Sequence, residues 1–281
     1  MRILITGAAG QLGADLVKEF DRPHHEVIAC DRSKLDLSSR DSVLQAITTV
    51  EPDAIVHAGA WTAVDACESD PDRAFQVNAL GTRHVADGAR TVGARVLYVS
   101  TDYVFDGSLD RPYNEWDFPN PQSVYGHSKL AGERELDPGS TIVRCSWVCG
   151  YHGNNMVKTV LKLSAERDRL EFVDDQRGSP TFTADLAAAI YRLVVGKLPG
   201  TFHVTNQGAT TWFEFVREIV RLAGRDPGIV HPIKTADLQP PRPAKRPANS
   251  VLDNAALRLQ GLPLLPVWQE SLERLVKELV A

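Results

Sequence analysis

The chain has 281 residues, of which 43% are hydrophobic, and a formal net charge of −5, so it can bury an ample core in one large domain or two closely joined ones and lacks the basic footprint of a nucleic-acid binder. No stretch approaches the roughly 18 apolar residues of a membrane helix, and Met1 leads straight into a strand rather than a signal core, which predicts a cytoplasmic protein with no membrane partner. Cys30, Cys67, Cys145 and Cys149 have neither C-x-x-C nor zinc-like spacing and read as buried free thiols.

Residues 2–6 (RILIT) predict a buried strand, followed by Gly7-Ala8-Ala9-Gly10-Gln11-Leu12-Gly13 and a helix with Leu12, Leu16, Val17 and Phe20 on its apolar stripe. Strand, glycine turn and helix stand in the order of a dinucleotide site. Gly7 permits the tight turn, Gly10 lets backbone approach a pyrophosphate, and Gly13 lets the helix pack close to the strand. The spacing is G-x-x-G-x-x-G rather than G-x-G-x-x-G. Residues 26–30 predict a second strand ending at Asp31, near the usual offset of a carboxylate on the adenosine ribose. Asp31 favours an unphosphorylated ribose, whereas Arg32 and Ser33 suit a 2′-phosphate, so NADH and NADPH both stay open. Asp36 and Leu37 follow in a short loop within reach of an adenine amine.

Residues 41–50 predict a helix and 54–58 a third strand, after which the small residues Gly59 and Ala60 leave room for a cofactor. His57, inside that strand, reads as a core histidine. Residues 71–92 predict one long helix with Pro71 at its start; Asn78 falls in its apolar stripe, with backbone and solvent equally open as partners. Residues 95–100 (RVLYVS) predict a fourth strand, so Ser100 and Thr101 sit at the strand end that faces the ligand crevice of an open parallel sheet.

A helix over 123–136 then carries Tyr125 and Lys129 four residues apart on one face. There the ammonium is expected to favour phenolate and pull the phenol from its ordinary pKa of about 10 toward the working range. Alone, Tyr-x-x-x-Lys is a weak signal, because a half-buried tyrosine beside a solvated lysine has the same spacing. The upstream nucleotide turn and strand-end threonine give it weight. Further on, the pattern predicts strands at 141–145, 170–173 and 201–205, helices at 154–167, 184–195, 211–223 and 267–280, and an extended proline-rich segment at 239–247. The alternation predicts an α/β fold with a doubly wound parallel sheet. Residues 1–147, with returning segments near 170–206, are expected to form an NAD(P)-binding Rossmann domain, and 148–169 with 207–281 a smaller, mainly C-terminal substrate-binding domain.

With the motifs GAAGQLG (7–13), TAVDACE (62–68), STDYVFDG (100–107), YGHSKLAGE (125–133), RCSWVCG (144–150), DQRGSPT (175–181) and RPANSVLD (246–253), the chain resembles the extended short-chain dehydrogenase/reductase superfamily, and within it the dTDP-4-dehydrorhamnose reductases, over essentially its full length. The resemblance implies an enzyme of dTDP-rhamnose biosynthesis that reduces the C4 keto group of dTDP-4-dehydrorhamnose to dTDP-L-rhamnose with NADPH or NADH. Thr101, Tyr125 and Lys129 take its catalytic positions, with Tyr125 as proton donor. The expected cofactor contacts are Gly7, Gly10, Gln11, Leu12, Gly13, Asp31, Arg32, Asp36, Leu37, Ala58, Gly59, Ala60, Val99, Tyr125 and Lys129. Thr101, Asp102 and Trp147 are expected to touch the dTDP-sugar, and Arg177, Arg242, Lys245 and Arg246 are candidates for its diphosphate.

Three departures from the family pattern stand out. Cys149 replaces a frequent tyrosine, and Trp61-Thr62 is bulkier than usual. Some relatives dimerise around a magnesium ion held by glutamates, but no equivalent set is evident here; Asp15 reads as a solvated helix carboxylate, no metal is assigned, and a homodimer is left open. The rivals are an epimerase or 4,6-dehydratase of the same superfamily and a non-catalytic NADP-binding subunit of the methionine adenosyltransferase type. The absence of a Thr-Asp-Glu run weighs against the dehydratase, and the intact Thr101, Tyr125 and Lys129 weigh against the non-catalytic subunit.

Overall fold

A computed structural model describes residues 1–280. Its first half alternates strand and helix: β1 (Arg2–Thr6), α1 (Gln11–Phe20), β2 (Glu26–Cys30), α2 (Arg40–Val50) and β3 (Ala54–His57). There follow α3 (Val64–Ser69), α4 (Pro71–Phe75), a wider π-type turn over Gln76–Leu80, α5 (Gly81–Val92), β4 (Arg95–Thr101), α6 (Val124–Arg134) and β5 (Thr141–Cys145). The helix expected over 71–92 is thus unbroken, but α4 passes into α5 through a π-type turn, a feature that often marks functional positions. Pro71 starts α4, and the Asp70 carboxylate caps it by accepting from Arg73 N at 3.2 Å.

The second half comprises β6 (Val148–Cys149), α7 (Met156–Glu166), β7 (Leu170–Val173), β8 (Arg177–Gly178), β9 (Thr181–Phe182), α8 (Thr183–Val195) and β10 (Gly200–His203). It continues through β11 (Thr210–Thr211), α9 (Trp212–Leu222), β12 (Val230–Ile233), α10 (Ala255–Leu259) and α11 (Trp268–Val280). Six strands pair in the order β10-β5-β4-β3-β1-β2, every pairing parallel. A parallel sheet is covered on both faces, so its strands read as continuous apolar runs, and successive residues of β1 serve opposite layers. Ile3 and Ile5 pack toward Leu16, Phe20 and Ile190 of α1 and α8, whereas Leu4 packs toward Val43, Ile47 and Val85 of α2 and α5.

The strand near 170, counted with the nucleotide-binding half from its sequence position, lies elsewhere. β7 pairs in parallel with β12 outside the six-stranded sheet, and the returning sheet strand is β10. The reason is burial: Leu170 and Val230 join Val160, Phe215, Ile219, Leu272 and Val276 in a separate core between α7, α9 and α11. The proline-rich stretch then crosses back toward the first half, where Ala244 N donates to Asp65 Oδ1 at 3.1 Å and Arg246 grips both oxygens of Asp65 at 2.8 Å. Among the described residues no helix is long and apolar enough to cross a membrane.

Candidate active site

The chain leaves β1 toward β2 on one side and the sheet continues to β3 on the other, so a crevice opens at the carboxyl ends of β1 and β3, where Thr6 and His57 are in register. A cleft of about 600 Å³ occupies that position. The glycine turn forms its floor. Gly7 has φ of +67°, and a Cβ there would lie 2.7 Å from Gly59 Cα. A Cβ on Gly13 would lie 2.1 Å from the Gly7 carbonyl oxygen, so this glycine brings α1 against the turn. Gly10 caps α1 without a side chain, leaving the first backbone N–H groups of the helix at the cleft, a natural seat for a pyrophosphate.

Gly7, Gly10, Gln11, Leu12, Gly13, Asp31, Arg32, Ala58, Gly59, Ala60, Val99, Thr101, Asp102, Tyr125, Lys129 and Trp147 all line the cleft. Asp36 and Leu37 line a second cavity of about 180 Å³ that shares Gly7, Arg32, Gly59 and Ala60 with the first. The Arg73 guanidinium lies over the Trp61 ring, 4.5 Å from its centroid, at the edge of this second cavity. Asp31 Oδ1 accepts from Ser33 N at 2.9 Å and Ser33 Oγ at 2.6 Å, which holds its carboxyl below the usual range. Arg32 is 74% exposed and only 3.9 Å from Asp36 Oδ2.

The residues expected to be catalytic come from neighbouring elements and line one cleft. Thr101 ends β4, and its hydroxyl donates to Asp102 Oδ1 at 2.9 Å while accepting from Tyr103 N at 3.2 Å. Helix α6 begins at Ser123, whose hydroxyl accepts from Gly126 N at 3.2 Å, and Glu68 Oε1 accepts from Val124 N at 2.8 Å. A Cβ on Gly126 would fall 2.2 Å from the Tyr103 carbonyl oxygen, so this glycine lets α6 lie close to the strand end. Tyr125 and Lys129 are both buried. Lys129 Nζ donates to the Val99 carbonyl at 2.8 Å and lies 4.0 Å from the Tyr98 ring centroid.

Burial decides the electrostatics. It pushes the Lys129 ammonium down to about 7. The Tyr125 phenol is raised, chiefly by burial, and the Thr101 hydroxyl opposes that rise. The expected lowering of the Tyr125 pKa by Lys129 is thus overturned in the free protein, where burial dominates and raises the phenol. Asp102 is pushed up to about 6 by burial, against the opposing pull of the Ser250 and Thr101 hydroxyls, and its Oδ2 is buried with no hydrogen-bond partner among the described residues.

His57 is the core histidine expected from sequence, held by Thr6 Oγ1 at 2.7 Å and Thr82 Oγ1 at 3.1 Å. Asn78 takes the backbone option: its Oδ1 accepts from Trp61 N at 2.8 Å, and its Nδ2 donates to Trp61 O and Ser128 Oγ, both at 3.0 Å. It thereby ties the loop after β3 to α6.

Trp147 leaves β5 with φ of +46°, a left-handed conformation that is an outlier for a bulky residue. Its ring stacks on Trp212 and presses on Gly178, where a Cβ would be 2.4 Å from Trp147 Cε2. Trp212, Tyr103 and Ser146 line the cleft without having been singled out from sequence, and Cys145, read there only as a buried thiol, joins them. Only the aromatic pair Trp212-Phe213 at a helix start hinted at the first of these. The diphosphate candidates are not in the cleft lining. Arg246 and Arg242 are drawn to Asp65, the latter at 3.6 Å, and Lys245 Nζ donates to Gln122 Oε1 at 3.3 Å. Cys149 is buried apolar filling, its thiol pushed up to about 12 by desolvation.

A glycine turn at the switch point of a parallel sheet, with a tyrosine–lysine pair facing a strand-end threonine, defines a Rossmann-fold protein of the extended short-chain dehydrogenase/reductase superfamily. Comparison narrows this: the family described as RmlD substrate binding domain matches residues 1–281, and the chain belongs to that family. It is 43% identical over 280 residues to a dTDP-4-dehydrorhamnose reductase of Streptomyces griseus, covering 96% of this chain and 91% of the relative. The crystal structure of a dTDP-4-dehydrorhamnose reductase from Clostridium acetobutylicum superposes with a TM-score of 0.96 at 42% identity, covering 100% of both chains. The Bacillus anthracis dTDP-4-dehydrorhamnose reductase, solved in complex with NADP, superposes with a TM-score of 0.94 at 40% identity, covering 99% of each chain.

Proposed function

We propose that the protein reduces the C4 keto group of dTDP-4-dehydrorhamnose to give dTDP-L-rhamnose, with NADPH as the reductant. The relatives named for that reaction at about 40% identity over nearly the whole chain, one of them solved with NADP, support the reaction and the cofactor. The observation that carries the residue assignment is the placing of buried Tyr125 and Lys129 in one cleft with Thr101 and the glycine turn.

The residues present fit a dinucleotide. The turn at Gly7 and Gly13 has no room for side chains, the amino end of α1 opens onto it, and the buried Gln11 Oε1 has no partner among the described residues. Asp31 is occupied by Ser33 while Arg32 is free to turn toward a 2′-phosphate, which favours NADPH. When bound there, NADPH supplies the hydride.

The protein supplies orientation and the proton. Thr101 fixes the carbonyl oxygen by hydrogen bonding, and the Tyr125 hydroxyl gives its proton to that oxygen as negative charge develops. A raised phenol still serves, because the alkoxide formed from a ketone is a stronger base than phenolate. Lys129, in its ammonium form, balances the phenolate left behind. Trp147 and Trp212 offer a flat apolar wall to the sugar, and the unit built on α7, α9 and α11 is assigned to the nucleotide end of the substrate.

The test is turnover. dTDP-4-dehydrorhamnose, made in place from dTDP-glucose by the preceding enzymes, is given to the protein with NADPH and, separately, NADH, and loss of reduced-cofactor absorbance is followed. Formation of dTDP-L-rhamnose with a preference for NADPH supports the reading; cofactor consumption that yields another sugar refutes the substrate, and no consumption refutes the reductase.

A further inference from the structure

Behind the reacting groups lies a buried charged network for which the reaction has no direct use. Glu133, on α6, is 7% exposed and Arg144, on β5, 5%. Arg144 Nε donates to Glu133 Oε1 at 2.9 Å and its terminal nitrogen to Oε2 at 2.6 Å, while Ser100 Oγ donates to Oε1 at 2.5 Å. A buried ion pair is by itself weak support for stability, since a well-packed apolar pair serves as well. Its placement is the informative feature.

Tyr125, Lys129 and Glu133 recur every four residues and share one stripe of α6. Two consecutive members of that stripe bind two consecutive residues of β4: Lys129 reaches the Val99 carbonyl and Glu133 takes the Ser100 hydroxyl. The next residue of the strand is Thr101. These two bonds tie the helix to the strand just before Thr101, while Arg144 anchors the same carboxylate to β5.

We propose that Glu133 is a positioning residue for the reduction: its carboxylate clamps the helix carrying Tyr125 and Lys129 to the strand end carrying Thr101, and it is the counter-charge that keeps Lys129 an ammonium. The groups facing Lys129 are Tyr98 on β4, His57 on β3, Cys145 on β5, and Tyr125 and Glu133 on its own helix. The tyrosines and the cysteine are neutral at pH 7 because burial raises each, and His57 is neutral because burial lowers it to about 3. Glu133 therefore supplies the negative charge, which it shares with Arg144 through the two-pronged contact.

The mechanistic part of this proposal rests on the reductase reading, and the experiment separates the two. In protein labelled with ¹³C at lysine Cε, the Lys129 resonance, assigned by its absence from Lys129→Met, is titrated with pH. Glu133→Gln is expected to move that titration down by about one pH unit and to cut kcat roughly 10–100-fold, with the alkaline limb of the kcat profile moving the same way and KM for NADPH held. Ser100→Ala keeps the carboxylate, so it is expected to lower kcat less and leave the titration in place. Should Glu133→Gln not fold, Arg144→Lys, which keeps both charges but not the two-pronged contact, is expected to lose kcat with the Lys129 titration retained. An unmoved titration in Glu133→Gln, an equal movement in Ser100→Ala, or full kcat in all of these variants overturns the proposal. A shifted titration in a protein that turns over no keto-sugar overturns the reductase reading instead and leaves the charge relation standing.

Discussion

Trp147 lies flat on Trp212, ring centroids 3.7 Å apart and planes 12° from parallel, so a residue leaving the six-stranded sheet is held by the first residue of a helix in the second core. Both rings line the cleft, and the stack spans the two halves of the molecule. Trp212→Ala removes one wall and frees the strained Trp147 backbone. An aromatic pair contributes about 0.5–1.5 kcal/mol beyond its buried area, so KM for the dTDP-sugar is expected to rise up to about tenfold, with NADPH affinity unchanged. Steady-state kinetics with each substrate varied in turn gives both numbers.

Gly13→Ala places a methyl group 2.1 Å from the Gly7 carbonyl oxygen, a contact with backbone that no rotamer relieves. Either α1 moves off the turn or the turn opens, and each spoils the seat proposed for the pyrophosphate. Calorimetric titration is expected to show NADPH affinity reduced at least about tenfold, together with a melting temperature lowered by several degrees for a strain of about 1–3 kcal/mol.

Acid should weaken the fold before it protonates ordinary carboxylates. His57 and His203 are buried and neutral, both lowered by burial to about 3. The unfolded chain takes up protons at an ordinary histidine pKa of about 6.5, so the stability from these two groups is present above that pH and is lost as pH falls from about 6.5 toward 3. Asp102 acts in the opposite sense: raised to about 6, it binds a proton first in the folded state and partly offsets the loss. Between pH 6.5 and 5.5 a net loss of about 1 kcal/mol, or roughly 2 °C in Tm, is expected. Asp102→Asn removes the offset and steepens the decline. Scanning calorimetry across that window checks both, and a flat or rising Tm contradicts the assignment of neutral buried histidines.

What was legible in the sequence was local. The RILIT strand, the glycine turn and the Tyr125–Lys129 spacing each declare themselves within a dozen residues, because turn sterics and helical periodicity act at that range. Asn78 was visible as a polar residue in an apolar stripe, but its backbone partners are at Trp61, seventeen positions away. Trp212 and the pairing of β7 with β12 depend on which apolar faces meet in the second core, and nothing in the strand at 170 distinguishes one sheet from another. The charge states followed the same division. Spacing put Lys129 beside Tyr125, yet burial, a property of the whole packed interior, sent the lysine down and the tyrosine up. The partner of two diphosphate candidates was hidden for a related reason, since the carboxylate that draws Arg246 and Arg242 comes from residue 65.

The convergence of a phenol, an ammonium and a strand-end hydroxyl on one cleft is tested most directly by Tyr125→Phe. Removing only the hydroxyl leaves the ring buried and its edge-on contact with Tyr103, at 5.6 Å between centroids, in place. With dTDP-4-dehydrorhamnose and NADPH, kcat is expected to fall about 10²–10⁴-fold, while the dissociation constant for NADPH, measured by fluorescence, stays within about twofold. Turnover at the wild-type rate would contradict the role assigned to Tyr125.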